Sequence, residues 1–421
     1  RACRYTPRVQ MEHRPSPSVQ YAELAMLSLI QGAAMSMWLV PLSTVLDANG
    51  LHEVKPLAFA ATAVAAFVSP LIFGAMADRL APPVKVLRGL AWATAAAMAL
   101  ASLAIQLGWN RWLVLGFIQL HALCSSPTWS ITSTIVFARL RNPKREFGPL
   151  RAMATVGWMG GCWLVSALNA DATPLAGYAG AGMWVLVALF TWLIPVIQPP
   201  PSAGPGTWQQ RLGLDALGLL KNADHRVIYI TVALFNVSLA AFYPYTPPHL
   251  KELGLQHTTA WMSLGQVTEI LAMLGLAGLL TRWRLKWIIA AGLGFGVVRF
   301  GLCALDTRLG LLAGITLHGC SFTLVYITAQ IYLNERVDSA WRARAQALMS
   351  LMTGGVGSLV GFLGGGWWFA VNTPVTGTRW PVFWLGLTAS VVGVLAYFLL
   401  AYHGRGAEKP AAPVDGEKGI R

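Results

Sequence analysis

Long apolar stretches, separated by short polar connections, follow one another along almost the whole chain. A helix that crosses a membrane needs about 20 mostly apolar residues, and twelve stretches of the chain meet this requirement. They cover residues 22–46, 57–77, 86–107, 112–138, 150–169, 177–198, 227–247, 257–281, 285–304, 309–333, 343–370 and 380–402. The pattern predicts an all-α integral membrane protein with twelve transmembrane helices, which we number as spans one to twelve.

Lysine and arginine residues accumulate in alternate connections between these spans. The group that follows span four, for example, contains Arg139, Arg141 and Lys144, whereas the neighbouring connection after span three contains Arg111 alone. Cytoplasmic loops of membrane proteins carry the excess of Lys and Arg. We therefore expect both chain termini in the cytoplasm.

The connection between spans six and seven is the longest one inside the chain. It begins with three prolines, and residues 208–220 then carry apolar side chains at helical spacing, which predicts an amphipathic helix at the cytoplasmic interface. The predicted units are a cytoplasmic N-terminal segment (1–21), a six-helix half (22–198), a linker (199–226), a second six-helix half (227–403) and a disordered cytoplasmic tail (404–421). Two such halves are typical of a transporter that rocks around a midplane site.

Composition narrows the functional classes. The chain is 55% hydrophobic and 11% charged, with a mean hydropathy of +0.55, which excludes an ordinary soluble domain. The net charge of +14 comes from Lys and Arg residues that accumulate in the connections predicted to face the cytoplasm. We therefore expect no nucleic-acid partner. The cysteines lack metal-ligand spacing and no nucleophile has an adjacent base, so we expect no metal site, no cofactor and no enzyme. We expect a monomer in the lipid bilayer.

Glu269 lies near the middle of span eight, about twelve residues or roughly 18 Å from either end. Because an ionised carboxylate is expensive at that depth, we expect it to face the bundle interior and to bind and release protons. Gln266 lies one turn earlier on the same face and offers a donor and an acceptor. The alternative is a structural carboxylate paired with a basic residue such as Arg299 of span nine.

Arg151, Thr155 and Trp158 begin span five at spacings that place them on one helical face. A guanidinium fork, a hydroxyl and an indole together suit a polyhydroxylated ring, which the fork binds and the indole supports. An arginine at a cytoplasmic helix end is also common, so this ordinary role stays open.

Other side chains in the spans are weaker candidates. His121 in span four and His318 in span ten could join a proton relay, although a lone intramembrane histidine is more often packed and neutral. Trp38, Tyr243 and Phe322 could line a cavity, but most of the 18 tryptophans are expected to be interfacial anchors or packing residues.

Span seven carries Pro244, Pro247 and Pro248 towards its outer end. Proline lacks a backbone N–H and is therefore disfavoured in the interior of a helix. We expect these prolines to break the outer end of the span.

Gly74, Asp78 and Arg79 follow span two as Gly-x-x-x-Asp-Arg. This motif resembles the loop motif of the major facilitator superfamily. The glycine permits close packing, and the carboxylate among cations and helix ends could lock one conformation. Ordinary flanking charges are the alternative, and the matching connection after span eight lacks the aspartate.

Taken together, the chain resembles the nucleoside:proton symporter family of the major facilitator superfamily over nearly all twelve spans. The motifs that carry the resemblance are Gln31 with Trp38, the Gly-x-x-x-Asp-Arg loop, Pro127-Thr128, residues 149–157, LGLDALGLLKN, SLGQVTEIL, HGCSF and RARAQALMSLMTGGVGS. The resemblance implies the major facilitator fold. It also implies that Arg151, Thr155, Trp158, Gln266, Glu269 and Phe322 belong to the cavity that binds ribose and base. Residues 146–158 are also similar to span five of the lactose permease family, in which the matching Arg and Trp contact the sugar.

The chain departs from the family pattern at three positions. Thr323 stands where an Asp is expected, and Ala240 and Tyr243 stand where amide side chains are expected.

We expect a proton-coupled nucleoside importer of the bacterial inner membrane that works by alternating access, with nucleosides and protons as its partners. A sugar or glycoside symporter is the alternative, and drug efflux or a multispan membrane enzyme or sensor is less favoured.

Overall fold

The computed structural model describes residues 17–79, 81–140, 143–196, 207, 209, 214–338, 341–375 and 377–404. Within these ranges every regular element is helical. The helices are α1 (Pro17–Leu39), α2 (Leu42–Ala48), α3 (Lys55–Arg79), α4 (Pro83–Gln106), α5 (Arg111–Ser125), α6 (Thr128–Arg139), α7 (Pro143–Ala167), α8 (Leu175–Phe190), α9 (Ala223–Ala240), α10 (Phe242–Glu252), α11 (Thr258–Met262), α12 (Leu264–Arg282), α13 (Leu285–Cys303), α14 (Arg308–Thr316), α15 (His318–Phe322), α16 (Thr328–Arg336), α17 (Arg342–Ser350), α18 (Ser358–Val371) and α19 (Trp380–Ala401). Short 3-10 segments cover His52–Val54 and Leu214–Lys221, and π-helical segments cover Thr323–Ile327 and Leu351–Gly357.

Seven of the described helical segments are long and apolar enough to cross a membrane. They are Ser18–Ala48, Pro83–Gln106, Ala223–Glu252, Leu285–Cys303, Arg308–Arg336, Arg344–Val371 and Trp380–Ala401. Predicted span six contains a shorter apolar helix, α8, of 16 residues. The chain is thus a multi-pass helical protein, and the number of twelve spans stays a prediction.

Several predictions concern residues outside the described part of the chain. These are the N-terminal residues before 17, nearly all of 197–213 and the tail from 405. The described end of the predicted amphipathic segment, Leu214–Lys221, is a 3-10 helix. Helix α3 runs through Gly74, Asp78 and Arg79, but their side chains lie outside the described residues, so the conformational lock stays a prediction.

The buried apolar residues form two main clusters, one built almost wholly from residues before 195 and the other almost wholly from residues after 215. In the first, α1 packs against α7 and α8, and α4 packs against α5 and α8. In the second, α13 packs against α19, and α9 packs against α18 and α19. The two parts meet where α3 contacts α18, α7 contacts α11 and α12, and α2 contacts α10.

Helices α1 and α7 approach each other so closely that their backbones touch. A Cβ atom on Gly157 would overlap the carbonyl group of Leu29, and one on Gly161 would lie 2.6 Å from the Ala33 carbonyl oxygen. Glycines four residues apart allow two membrane helices to pack at short range. This packing fixes the rotation of α7 about its axis, and with it the direction of the face that carries Arg151.

The helix of predicted span seven is interrupted at Ala241, three residues before Pro244. The prediction is wrong for Pro247 and Pro248, because α10 continues through both to Glu252. The missing N–H of Pro248 frees the carbonyl oxygen of Pro244, four residues earlier. That oxygen accepts a hydrogen bond from the Ser43 hydroxyl of α2, so the helix tolerates the proline.

Hydrogen bonds join the two parts of the chain at the end of the bundle where α7 ends and α11 begins. The Asp171 carboxylate accepts from the backbone N–H of Thr259 at 2.7 Å and from the Ser166 hydroxyl at 2.8 Å. The Ser166 hydroxyl oxygen accepts from the backbone N–H of Ala260 at 3.0 Å. Side chains in the last turn of α7 and just beyond its end therefore bind backbone groups of α11 directly.

Candidate functional site

A cavity of about 490 Å³ lies between the two parts of the chain. Such a volume is typical of small-molecule sites. Its walls come from α1, α3, α5, α6 and α7 on one side and from α9, α10, α12, α15 and α18 on the other. The predicted site residues among its lining are Arg151, Thr155, Trp158, Tyr243, Gln266, Glu269, His318 and Phe322.

Helix α7 presents a polar and aromatic face to the cavity. The Arg151 guanidinium donates a hydrogen bond to the Thr155 hydroxyl at 3.3 Å and lies over the Trp129 ring, 4.6 Å from its centre. The Trp158 ring lies 6.2 Å from the ring of Tyr243 on α10. Among the described residues Arg151 makes no other hydrogen bond, so most of its five donors are available to a ligand.

Glu269 and Gln266 reach the cavity from α12, and their residues are only 7% and 5% exposed. Within the described chain the Glu269 carboxylate has no hydrogen bond and no ion pair, although it attracts the Arg151 guanidinium across the cavity. The Gln266 carbonyl oxygen is buried and, in the described part of the chain, unpaired. A buried acceptor without a donor costs about 1–3 kcal/mol, so a ligand that donates a hydrogen bond here would be stabilised.

The backbone of α15 sets the position of Glu269. A Cβ atom on Gly319 would lie 2.5 Å from the Cα atom of Glu269, closer than real Cβ atoms approach. The Thr268 hydroxyl also donates to the carbonyl oxygen of Thr316 at the end of α14. These contacts hold α12 against the predicted tenth span.

Arg299, the predicted alternative partner of Glu269, and His318, a candidate for a proton relay, contact each other. Arg299 is fully buried, and its Nη1 atom lies 2.6 Å from Nδ1 of His318. The guanidinium carbon lies 4.4 Å from the ring centre of Phe242 and 4.7 Å from that of Phe300. The predicted alternative, an ion pair between Arg299 and Glu269, is not formed among the described residues.

Three other predicted residues do not line the cavity. Trp38 and His121 are buried with their ring centres 5.5 Å apart, and Trp38 belongs to the first apolar cluster. Thr323, in the π-helical segment after α15, is fully buried. Their predicted roles stay predictions.

Trp129 and Asn236 are among the residues of the cavity wall that the sequence does not single out. Trp129 supports the Arg151 guanidinium, and its sequence signal is that of an ordinary interfacial aromatic. Asn236 donates to the Thr353 carbonyl oxygen at 3.0 Å and accepts from the Tyr326 hydroxyl at 2.8 Å. A polar residue in the middle of span seven is the signal that could have revealed Asn236.

No group of three His, Cys, Asp or Glu side chains that could hold a metal ion occurs among the described residues. The side chains that line the cavity offer one carboxylate, one half-buried guanidinium, one imidazole, amides, hydroxyls and aromatic rings.

Comparison with known proteins gives the relationships of the chain. Residues 19–406 match the Nucleoside H+ symporter family. YegT of Escherichia coli (strain K12), named as a candidate nucleoside transporter, is 31% identical over 94% of this chain and 96% of its own length. The nucleoside permease NupG of the same organism is 27% identical over 68% of this chain and 72% of its own. The xanthosine permease of Escherichia coli (strain K12) is 24% identical over 90% of this chain and 96% of its own length.

Solved structures show the same fold. The crystal structure of the nucleoside transporter NupG matches with a TM-score of 0.80 at 23% identity, covering 91% of this chain and 99% of that one. A second match is a bacterial homologue of the human lysosomal transporter Spinster in an inward-facing conformation. Its TM-score is 0.65 at 12% identity, and the match covers 92% of this chain and 96% of that one. The fold is of the major facilitator type.

The chain belongs to the nucleoside H+ symporter family. It is a multi-pass inner-membrane protein and a transporter, not an enzyme. The family match and the resemblance of the sequence motifs both indicate proton-coupled nucleoside import.

Proposed function

We propose that Glu269 carries the coupling proton and that the cavity around it binds a nucleoside. The observation that supports this most directly is the Glu269 carboxylate, which lies in the cavity wall without a hydrogen bond or ion pair within the described chain. An ionised carboxylate in such a place is destabilised, and a proton removes its charge. Binding and release of one proton at this atom thus changes the charge of the site as the two halves rock around it.

The α7 face suits the ribose ring of a nucleoside. The free N–H groups of Arg151 can bind neighbouring hydroxyl oxygens as a fork, and Thr155 adds a hydroxyl beside them. Trp158 and Tyr243 offer aromatic faces to the base, and Phe322 lies on the same side of the cavity as Tyr243. The unpaired carbonyl oxygen of Gln266 can accept from an N–H or hydroxyl of the ligand.

The proposal includes twelve spans in two six-helix halves, with both termini in the cytoplasm. The fold shared with NupG and the alternation of Lys and Arg between connections support this arrangement. Asp78 and Arg79, at the end of α3, would then lie at the cytoplasmic side and could act as the conformational lock typical of the superfamily motif.

The test is uptake of labelled uridine and adenosine by proteoliposomes, with and without an imposed inward proton gradient. We expect accumulation that a protonophore abolishes. Glu269→Gln should lose uphill accumulation while it retains binding and exchange, because the amide keeps the shape of the side chain but cannot release a proton. Glu53→Gln, at an exposed carboxylate paired with Arg111 outside the cavity, is the matched control.

Accumulation by Glu269→Gln that equals the wild-type level would refute the role of this carboxylate. Uptake that free sugars block and nucleosides do not would instead establish a sugar symporter.

A further inference from the structure

The contact between Arg299 and His318 determines which ring nitrogen of the histidine carries a proton. An arginine side chain has donors and no acceptor. Since Arg299 Nη1 lies 2.6 Å from His318 Nδ1, the nitrogen must accept this hydrogen bond. A histidine that accepts at Nδ1 is neutral and carries its proton on Nε2.

The surroundings of the pair favour the neutral form. Arg299 is fully buried, has no carboxylate within ion-pair distance in the described chain, and lies against the faces of Phe242 and Phe300. A second proton on His318 would place two cations in direct contact in a site of low dielectric. Phe242, stacked on the imidazole at a centre distance of 4.4 Å, also holds the ring plane.

His318 itself faces the cavity. It lines the same wall as Glu269 and Phe322, and its Nε2 atom makes no hydrogen bond to the described residues. The titratable and charged groups of other helices that line the cavity together with His318 are Glu269 on α12, Arg151 on α7 and Tyr243 on α10, and Arg299 on α13 contacts the ring directly. The Nε2–H group is therefore a donor that a ligand can use.

We propose that Arg299 is a positioning residue that keeps His318 neutral with its proton on Nε2, so that His318 selects ligands carrying a hydrogen-bond acceptor and takes no part in proton coupling. If the cavity binds nucleosides, as proposed above, His318 selects those whose base presents a carbonyl oxygen or an unprotonated ring nitrogen to this wall. His318 thus has a role different from that of Glu269, which retains the proton-carrying role.

The first test needs no ligand. Nitrogen-15 NMR of the full chain in lipid nanodiscs, with labelled histidine rings, distinguishes an accepting from a protonated nitrogen, and His318→Gln assigns the signals of His318. We expect an accepting Nδ1 and a protonated Nε2 from about pH 5 to pH 8, the range in which an ordinary histidine titrates. Signals of a doubly protonated ring, or of the opposite tautomer, would overturn the proposal.

Substitutions of Arg299 test the cause. In Arg299→Met the ring should titrate or exchange tautomers within that range, whereas Arg299→Lys, which keeps a charge and a donor, should preserve the wild-type signals. If Arg299→Met does not fold, Arg299→Lys still provides a test, because loss of the wild-type tautomer in the folded lysine variant would contradict the role of Arg299.

Ligand binding tests the consequence. His318→Phe should weaken uridine binding about 3- to 10-fold, the value of one net hydrogen bond. His318→Gln, whose amide N–H reaches the place of Nε2, should stay within about 3-fold of wild type and retain proton-driven accumulation. Equal affinity in His318→Phe and wild type would overturn the selective role. If wild-type protein binds no nucleoside, the proposed function fails, while the NMR result still decides the state of His318.

Discussion

Gly319 should be among the least replaceable residues of the protein, because its Cα faces the backbone that carries Glu269. A methyl group at this position would overlap the backbone nitrogen of Glu269 and lie 2.5 Å from its Cα atom. Ordinary contacts between carbon atoms are about 3.5–4.0 Å, so α12 and α15 would have to separate by more than about 1 Å. The obstacle is backbone, and no change of side-chain rotamer can relieve it.

We therefore expect Gly319→Ala to destabilise the protein by about 1–3 kcal/mol, the usual range for overpacking, and to displace Glu269 from its place in the cavity wall. The variant should show a lower midpoint of thermal unfolding in detergent and a lower rate of proton-driven uridine uptake in proteoliposomes. Both measurements are needed, since the first reports packing and the second reports the position of the carboxylate.

Gly275→Ala is the matched control on the same helix as Glu269. A Cβ atom there meets nothing within 4 Å, and alanine in a helix is favoured over glycine by roughly 0.5–1 kcal/mol. We expect this variant to be as stable as wild type or more so, with unchanged uptake. Wild-type stability and uptake in Gly319→Ala would refute the argument that close backbone packing positions Glu269.

Two further substitutions have clear expected outcomes. Arg151→Lys should weaken nucleoside binding about 10-fold in calorimetry, because an ammonium group can neither form a fork nor stack on Trp129 as a guanidinium does; unchanged affinity would contradict a fork on the ribose. Asn236→Leu should lower the midpoint of thermal unfolding, since it leaves the Tyr326 hydroxyl and the Thr353 carbonyl oxygen without their partner, at about 1–3 kcal/mol for a buried unpaired group; an unchanged midpoint would contradict a structural role for the amide.

Hydropathy and helical spacing predicted much of what the structure shows of the cavity wall. The spacing of Arg151, Thr155 and Trp158 determines that they share a face, and an ionisable Glu269 in the middle of a span has few places to lie other than an interior cavity. The geometry of one helix and the cost of a charge in lipid are sufficient to predict both features.

The remaining features depend on packing between helices, which one sequence does not reveal. His121 and His318 look alike in hydropathy, yet one lies beside Trp38 and the other lines the cavity. Phe322 and Thr323 are adjacent, but successive helical residues point in different directions, and only Phe322 is in the wall. The tolerance of α10 for Pro248 likewise depends on a hydroxyl from Ser43, some 200 positions away.

The hydrogen bonds of Asp171 and Ser166 make one helix of the second half dependent on the first half. The residue before α11, His257, has a left-handed backbone and supplies no side-chain cap. The N–H groups of Thr259 and Ala260 are instead capped by Asp171 and Ser166. Loss of a cap costs about 0.5–2 kcal/mol, so moving α7 away from α11 removes part of the secondary structure of its partner as well as a contact surface. Any arrangement that separates these two helices must offset that cost, so we expect the cap bonds to favour the arrangement in which α11 is complete.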